Sequence, residues 1–335
     1  MSISTLRGLV RRELTAFAWD QWAQLGVFAP TERRDRRAVD PEALLLFTFE
    51  IARNDPRLFD EVLDWLLTNE KLVSVQRLRN LCADEDDRDL AEAALAWVAR
   101  QRPRAGFVPR AGQRQPQDPT PLFRAAGQPL RNPDPVFLTF GLLKPDSDPS
   151  GKSLPPDLNA PINFAFRMRQ LFGVGSRAEV FRHLITSLDS GVGARELAES
   201  AGFAKRNVNE TLAALVASRA VTMFEVGNER RYYLDRFHWD QLLDLKPESR
   251  PAHYAWPRLL WALRRLARWI ENPGLDGLSP YMLASEARSL MDRLAPDLAF
   301  AGIPLAGVGP QGEEYWGTFA ESIERMLSAF RGVGI

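Results

Sequence analysis

The sequence predicts a mainly α-helical fold with one β-hairpin, flanked by N-terminal and C-terminal helical regions. Three observations predict it. Apolar residues recur at steps of three and four over most of the chain. Asp-Pro and Ser-Pro pairs stand where helices would start. Two β-rich runs meet only once, around Gly227-Asn228.

The first region spans residues 1–100. "DPEALLLFTFEIARN" offers Asp40 as N-cap and Pro41 in the first turn, and "DPRLFDEVLDWLLTN" repeats the device with Asp55 and Pro56. "DEDDRDLAEAALAWVARQ" reads as a helix whose acidic start suits the positive end of its dipole. The region holds 14 basic and 18 acidic residues, a net of −4. "EVLDWLLTN" at 61–69 also resembles "EVFRHLITS" at 179–187. That pattern raises a degenerate second helix-turn-helix, without a wing, against chance agreement between two amphipathic helices.

Residues 101–160 carry 12 of the 24 prolines. Helices do not persist through that density, so the segment is expected to be a connector. Its one apolar run, "PVFLTFGLL", is the part able to dock on a domain.

Residues 161–235 change character. "SRAEVFRHLITS" places Val180, Phe181, Leu184 and Ile185 on one face, and the short helix "ARELAES" follows. Next comes "AGFAKRNVNETLAAL", then "VTMFEVGNERRYYLD". Helix, short helix, turn, longer helix and hairpin is the order of a winged helix-turn-helix with a two-stranded β-hairpin wing. Ala198 lets the helices approach, Gly202 suits a left-handed turn, and Val208 anchors the third helix. At about 100° per residue with Val208 at zero, Leu212, Leu215 and Ala204 fall within about 40° of it. Arg206, Glu210 and Ala213 fall opposite, with Asn209 beside them and Lys205 and Asn207 flanking. Arginine pairs with guanine, asparagine with adenine, and glutamate accepts from cytosine. Arg230 and Arg231 follow the hairpin turn, where a wing meets phosphate or the minor groove. The candidate DNA-binding residues are therefore Lys205, Arg206, Asn207, Asn209, Glu210, Arg230 and Arg231.

These stretches resemble bacterial winged-helix transcriptional regulators of the broad MarR/ArsR kind, over about residues 163–235. The resemblance implies a third helix in the major groove of double-stranded DNA, a wing on the backbone and dimerisation through terminal helices. The chain departs from that pattern in its long N-terminal and proline-rich regions and in having no metal-sensing cysteines. The alternative for the same face is docking on a protein, as in an antitoxin or an assembly subunit.

Residues 236–335 return to helix. "PRLLWALRRLARWIEN" aligns Leu259, Leu263, Leu266 and Ile270, with Arg264, Arg265 and Arg268 off that stripe. "SPYMLASEARSLMDRL" starts on Ser279 and Pro280. The last helix repeats Trp316, Phe319, Ile323, Met326, Leu327 and Phe330, a stripe expected to join two copies in a homodimer. Trp256, Trp261, Trp269 and Trp316 fit core or interface better than a ligand pocket.

Other readings are narrower. Lysine plus arginine balance aspartate plus glutamate at 43 each, which argues against nonspecific coating of nucleic acid but not against a local patch. Cys82 stands alone, so no intrachain disulfide forms, as suits a reducing cytoplasm. Its acidic neighbours would raise its pKa, against a nucleophile. His183, near an apolar stripe, reads as a core-edge or interface residue. "ADEDDRD" lacks the spacing of a calcium loop and reads as a solvated helix start. "SGKS" at 150–153 lacks the upstream glycine of a phosphate loop, and Pro155 and Pro156 block the helix one needs. No signal peptide or membrane span is read. The expectation is a cytoplasmic, non-enzymatic protein without cofactor or metal.

Overall fold

The computed structural model describes residues 1–31, 35–103, 106–110, 119–124, 132–187, 191–303 and 309–332. Its first half is α1 (Ile3–Gln24), α2 (Pro41–Ile51), α3 (Pro56–Asn69), α4 (Val75–Leu81) and α5 (Glu85–Gln101). Each starts on a side chain that accepts an orphan N–H of the first turn. Ser2 takes Thr5 N, Asp40 takes Ala43 N, Asp55 takes Leu58 N, Ser74 takes Arg77 N and Asp84 takes Asp87 N. All of α2 is buried, as its run of Leu, Phe and Ala requires of a helix apolar all round.

The proline-rich segment is not a free tether over its described residues. β1 (Thr120–Pro121) pairs in parallel with β2 (Leu142–Leu143), and α6 (Pro135–Thr139) lies between them in sequence. Leu122, Phe123, Phe137, Phe140 and Leu142 are buried in the same core as the first helices. "PVFLTFGLL" docks because its aromatic side chains outweigh the entropy of holding a short segment. Residues 111–118 and 125–131 lie outside the described ones.

Then follow α7 (Phe164–Phe172), α8 (Ser176–Thr186), β3 (Val192–Gly193), α9 (Ala194–Ala201), α10 (Lys205–Ala217), β4 (Thr222–Val226), β5 (Glu229–Tyr233) and α11 (Arg236–Leu242). The chain closes with α12 (Trp256–Ile270), α13 (Pro280–Phe300) and α14 (Tyr315–Gly332). The fold is mainly helical, with small sheets.

Among the described residues, two hydrophobic cores result. The larger joins α1–α6 to α12–α14, so the two ends of the chain share one interior. The smaller gathers α7–α11 and the three-stranded sheet. Trp316 Nε1 donates to Met1 O at 2.7 Å, and Arg11 pairs with Glu271. Phe319, Ile323, Met326 and Leu327 are buried within the chain, where α14 packs on α1 and α13. The stripe expected to bind a second copy is thus used internally, at about 1.5–3 kcal/mol per buried side chain as an upper bound. The side chain of Phe330 lies outside the described ones.

Helices α3, α4 and α5 follow one another as α8, α9 and α10 do, with residues 82–84 linking α4 to α5 and 202–204 linking α9 to α10. The third helix differs. Leu90, Ala91, Ala94, Leu95 and Val98 of α5 are buried, and Asp87 is held by Arg264 and Arg268. Its exposed side chains are Glu85, Asp86 and Arg88 at the start and Arg100 near the end. The acidic run, expected to be solvated, is in part an inward anchor for α12: Asp87 and Asp89 are buried. Arg264, off the leucine stripe of α12, is buried as well.

The two cores meet at a closed set of charges. Asp40 and Glu42 of the start of α2, Arg77 of α4, Arg169 of α7, and Glu179 and Arg182 of α8 are each 2% exposed or less. Arg77 pairs with Asp40 and with Glu42 (2.8 Å), and its Nε donates to Ala201 O at 2.6 Å. Arg169 reaches Glu42 (2.7 Å), Glu179 (2.6 Å) and Leu72 O (2.7 Å). Arg182 Nε donates to Glu179 at 2.9 Å. Three cations meet three anions, so the junction carries no formal excess charge. Burial favours the neutral form of Asp40 and Glu179, but the surrounding arginines outweigh it and hold both carboxyls below their ordinary range.

Candidate nucleic-acid interface

The surface is built from α8, α9, α10 and the hairpin. Val180, Phe181, Leu184, Leu197, Ala198, Val208, Leu212 and Leu215 close the core beneath it. Gly202 ends α9 with φ +66°, and its N–H donates to Ala198 O at 3.0 Å. A Cβ there would also stand 3.1 Å from Arg77 Nε. Ala204, expected on the core face, is instead exposed at the N-cap of α10. The helix begins one residue later, so the 100° rule does not apply to Ala204, and Phe203 is buried beside it.

β4 and β5 pair with Val226 opposite Glu229, which leaves Gly227-Asn228 as a two-residue turn. Only Gly227 has positive φ, the pattern of a type II′ turn. The expected two-stranded sheet has three strands, in the order β3-β5-β4. Val192 pairs with Tyr232 and Gly193 with Arg231. Two residues are too few to show an alternating pattern, so β3 was silent in the sequence.

Lys205, Arg206, Asn209, Glu210 and Ala213 are exposed on α10, and Asn207 is half-buried at its side. Lys205, Asn209, Arg230 and Arg231 line one open groove of about 1020 Å³ between α10 and the hairpin. Arg206 and Glu210 stand outside its lining. Sequence reasoning missed Arg195 and Glu199 of α9 and Phe300 at the end of α13, which complete the groove. Arg258 of α12 explains Phe300's place there: it pairs with Glu199 (3.3 Å) and lies over the Phe300 ring (4.6 Å). Separations of 40 to 100 residues leave no local signal for such contacts.

The electrostatics are balanced. Arg206 pairs with Glu210 (3.0 Å), Arg230 with Glu225 (3.4 Å), Arg231 with Glu229 (3.0 Å) and Arg195 with Glu199 (3.0 Å). Arg206 and Glu210 keep 87% and 66% of their side chains exposed. Exposed pairs of this kind contribute about 0–1 kcal/mol, so a phosphate or base edge can take the guanidinium at small cost.

The other candidates are occupied. Cys82 is buried, and burial with the nearby Asp87 pushes its thiol up to about 12. In the "SGKS" loop, Gly151 N and Ser153 N donate to the two oxygens of buried Asp64 at 2.8 and 3.0 Å. No trio of His, Cys, Asp or Glu is arranged for a metal ion among the described residues. No helix among them is long and apolar enough to cross a membrane. Comparison of the chain with protein-family models, curated proteins and solved structures found no match.

Proposed function

We propose that residues 164–245 act as a winged helix-turn-helix that binds duplex DNA sequence-specifically, making the protein a transcriptional regulator. One observation carries the reading: Lys205 and Asn209 of an uncovered helix face share an open groove with Arg230 and Arg231 of the hairpin. Asn209 offers a donor and an acceptor to an adenine edge, and exposed Ala213 lets the helix sit deep. Arg230 and Arg231 contact the backbone. Because carboxylates accompany these cations, few phosphates are neutralised. A log–log salt slope of about −3 follows, shallow for a DNA-binding protein.

Selection of bound fragments from random duplex DNA tests this. A common motif should emerge, and Arg206→Ala should weaken binding by about 1–3 kcal/mol and relax preference at one base position. Equal affinity for selected and random duplexes would overturn the assignment.

A second reading, a protein-docking module, is favoured by two features. The face carries as many carboxylates as cations, and Met223, Phe224 and Val226 are exposed on edge strand β4. Absence of salt-dependent binding to any duplex, with β4 protected by a protein partner, would establish it instead.

A further inference from the structure

A separate pocket, open to solvent, lies at the edge of the larger core, away from the groove. It measures about 260 Å³ and lies among α2, α4, α12 and α13. Ala43, Leu46, Leu81, Leu260 and Trp261 supply an apolar lining. An apolar cavity of about 150 Å³ already holds a benzene ring, so this one admits a small organic body.

One wall is charged. Arg264 lines the pocket and is 4% exposed. Its Nη2 donates to Asp87 at 2.7 Å. Among the described residues, its Nε and Nη1 meet no hydrogen-bond acceptor. A buried guanidinium with unpaired donors is costly, because desolvation is uncompensated there. Asp87 is its counter-ion, shared with Arg268, which also pairs with Glu50 and Asp84; that one contact leaves the other two donor groups of Arg264 unmet. The remaining charged groups of the lining are Arg258 and Asp297, paired at 2.9 Å. What sets Arg264 apart in this lining is therefore its unmet hydrogen-bond donors, since Asp87 behind it balances its charge.

We propose that this pocket binds a small organic monocarboxylate with a compact apolar body. The carboxylate accepts from the unpaired donors of Arg264, and the body packs on Leu46, Leu260 and Trp261. The apolar lining explains why an inorganic anion is a poor occupant: it would leave those side chains against a desolvated ion. Arg258 gives the pocket a route outward, since it stands in the pocket wall and also pairs with Glu199 and lies over Phe300. The binding claim does not depend on what the groove binds.

Hexanoate and benzoate serve as probes, with 1-hexanol and benzyl alcohol as neutral counterparts. Calorimetric titration and thermal unfolding of the full chain read the result. At least one acid should bind saturably, raise the melting temperature, and exceed its alcohol by about tenfold or more in affinity. Arg264→Met should remove that preference. The variant keeps the apolar stem, and Asp87 retains Arg268 and Ala83 N. Leu81→Trp, a half-buried position at the pocket edge, should weaken acid and alcohol alike by filling the space. Equal affinity for acid and alcohol overturns the proposal, as does an acid preference unchanged in Arg264→Met. Absence of saturable binding by both acids does so too, whatever the DNA experiments show.

Discussion

His183 illustrates how much one side chain's surroundings decide. It is 2% exposed. Its Nδ1 lies 2.7 Å from Ser200 Oγ, its ring 4.3 Å from that of His253, and its Nε2 3.8 Å from Glu196. Burial first, then His253 and Arg182, hold its pKa well below the ordinary 6.5. The unfolded chain takes up a proton near pH 6.5 that the folded chain refuses. Stability contributed by neutral His183 is therefore complete above that pH and is lost as pH falls from 6.5 toward the folded value. The loss is at most about 1.4 kcal/mol per pH unit from this group. His183→Gln should flatten the pH dependence of the urea midpoint between pH 7 and 5. An unchanged slope would place the sensitivity elsewhere. The sequence suggested a core-edge or interface histidine. Ser200 was invisible as its partner, because the packing of α8 against α9 sets that meeting.

At the level of elements, the stretch from α8 to β5 was the most legible. Val180, Val208 and Leu212 stand in the core, and the left-handed turn falls on Gly202, because helical period and glycine's conformational freedom are local properties. Ala204 and β3 were not legible. One depends on where the helix starts, the other on a strand partner about 40 residues away. Gly202→Ala should be destabilising by about 1–3 kcal/mol, combining a left-handed Cβ with a close approach to Arg77. Arg77 cannot move aside, since Asp40 and Ala201 O hold it. Urea unfolding measures the effect, and an unaltered midpoint would contradict this account of the turn.

Across the whole molecule, what sequence could not show is the joining of distant segments. The four regions suggested by composition do not reveal that α2 and α12 pack together, or that α14 returns to α1. Arg77, Arg169 and Glu179 carried no signal of burial in the sequence, because a charge on a helix carries no sign of whether its partner lies 35 or 127 residues away. Their role can be measured. Glu179→Gln leaves Arg169 and Arg182 with an uncompensated buried charge and should cost about 3–5 kcal/mol in equilibrium unfolding at pH 7. With Asp40 and Glu179 held low in the folded state, their contribution is complete above their ordinary values of 3.8 and 4.5 and is lost as pH falls below them. Glu179→Gln should therefore lose less stability than the unaltered chain between pH 5 and 3. A loss of less than 1 kcal/mol at pH 7 would mean that water or rearrangement replaces the carboxylate.

That junction also bears on descent. A change at any one of its six residues strands a buried charge, at a cost comparable to a large part of a domain's stability. Such positions are therefore expected to change in pairs rather than singly. Arg206 and Asn209 lie in solvent, where exchanges stay within about 0.5 kcal/mol. Under the proposed function, a lineage can thus retune the DNA sequence this face prefers, one substitution at a time, on a frame that resists change.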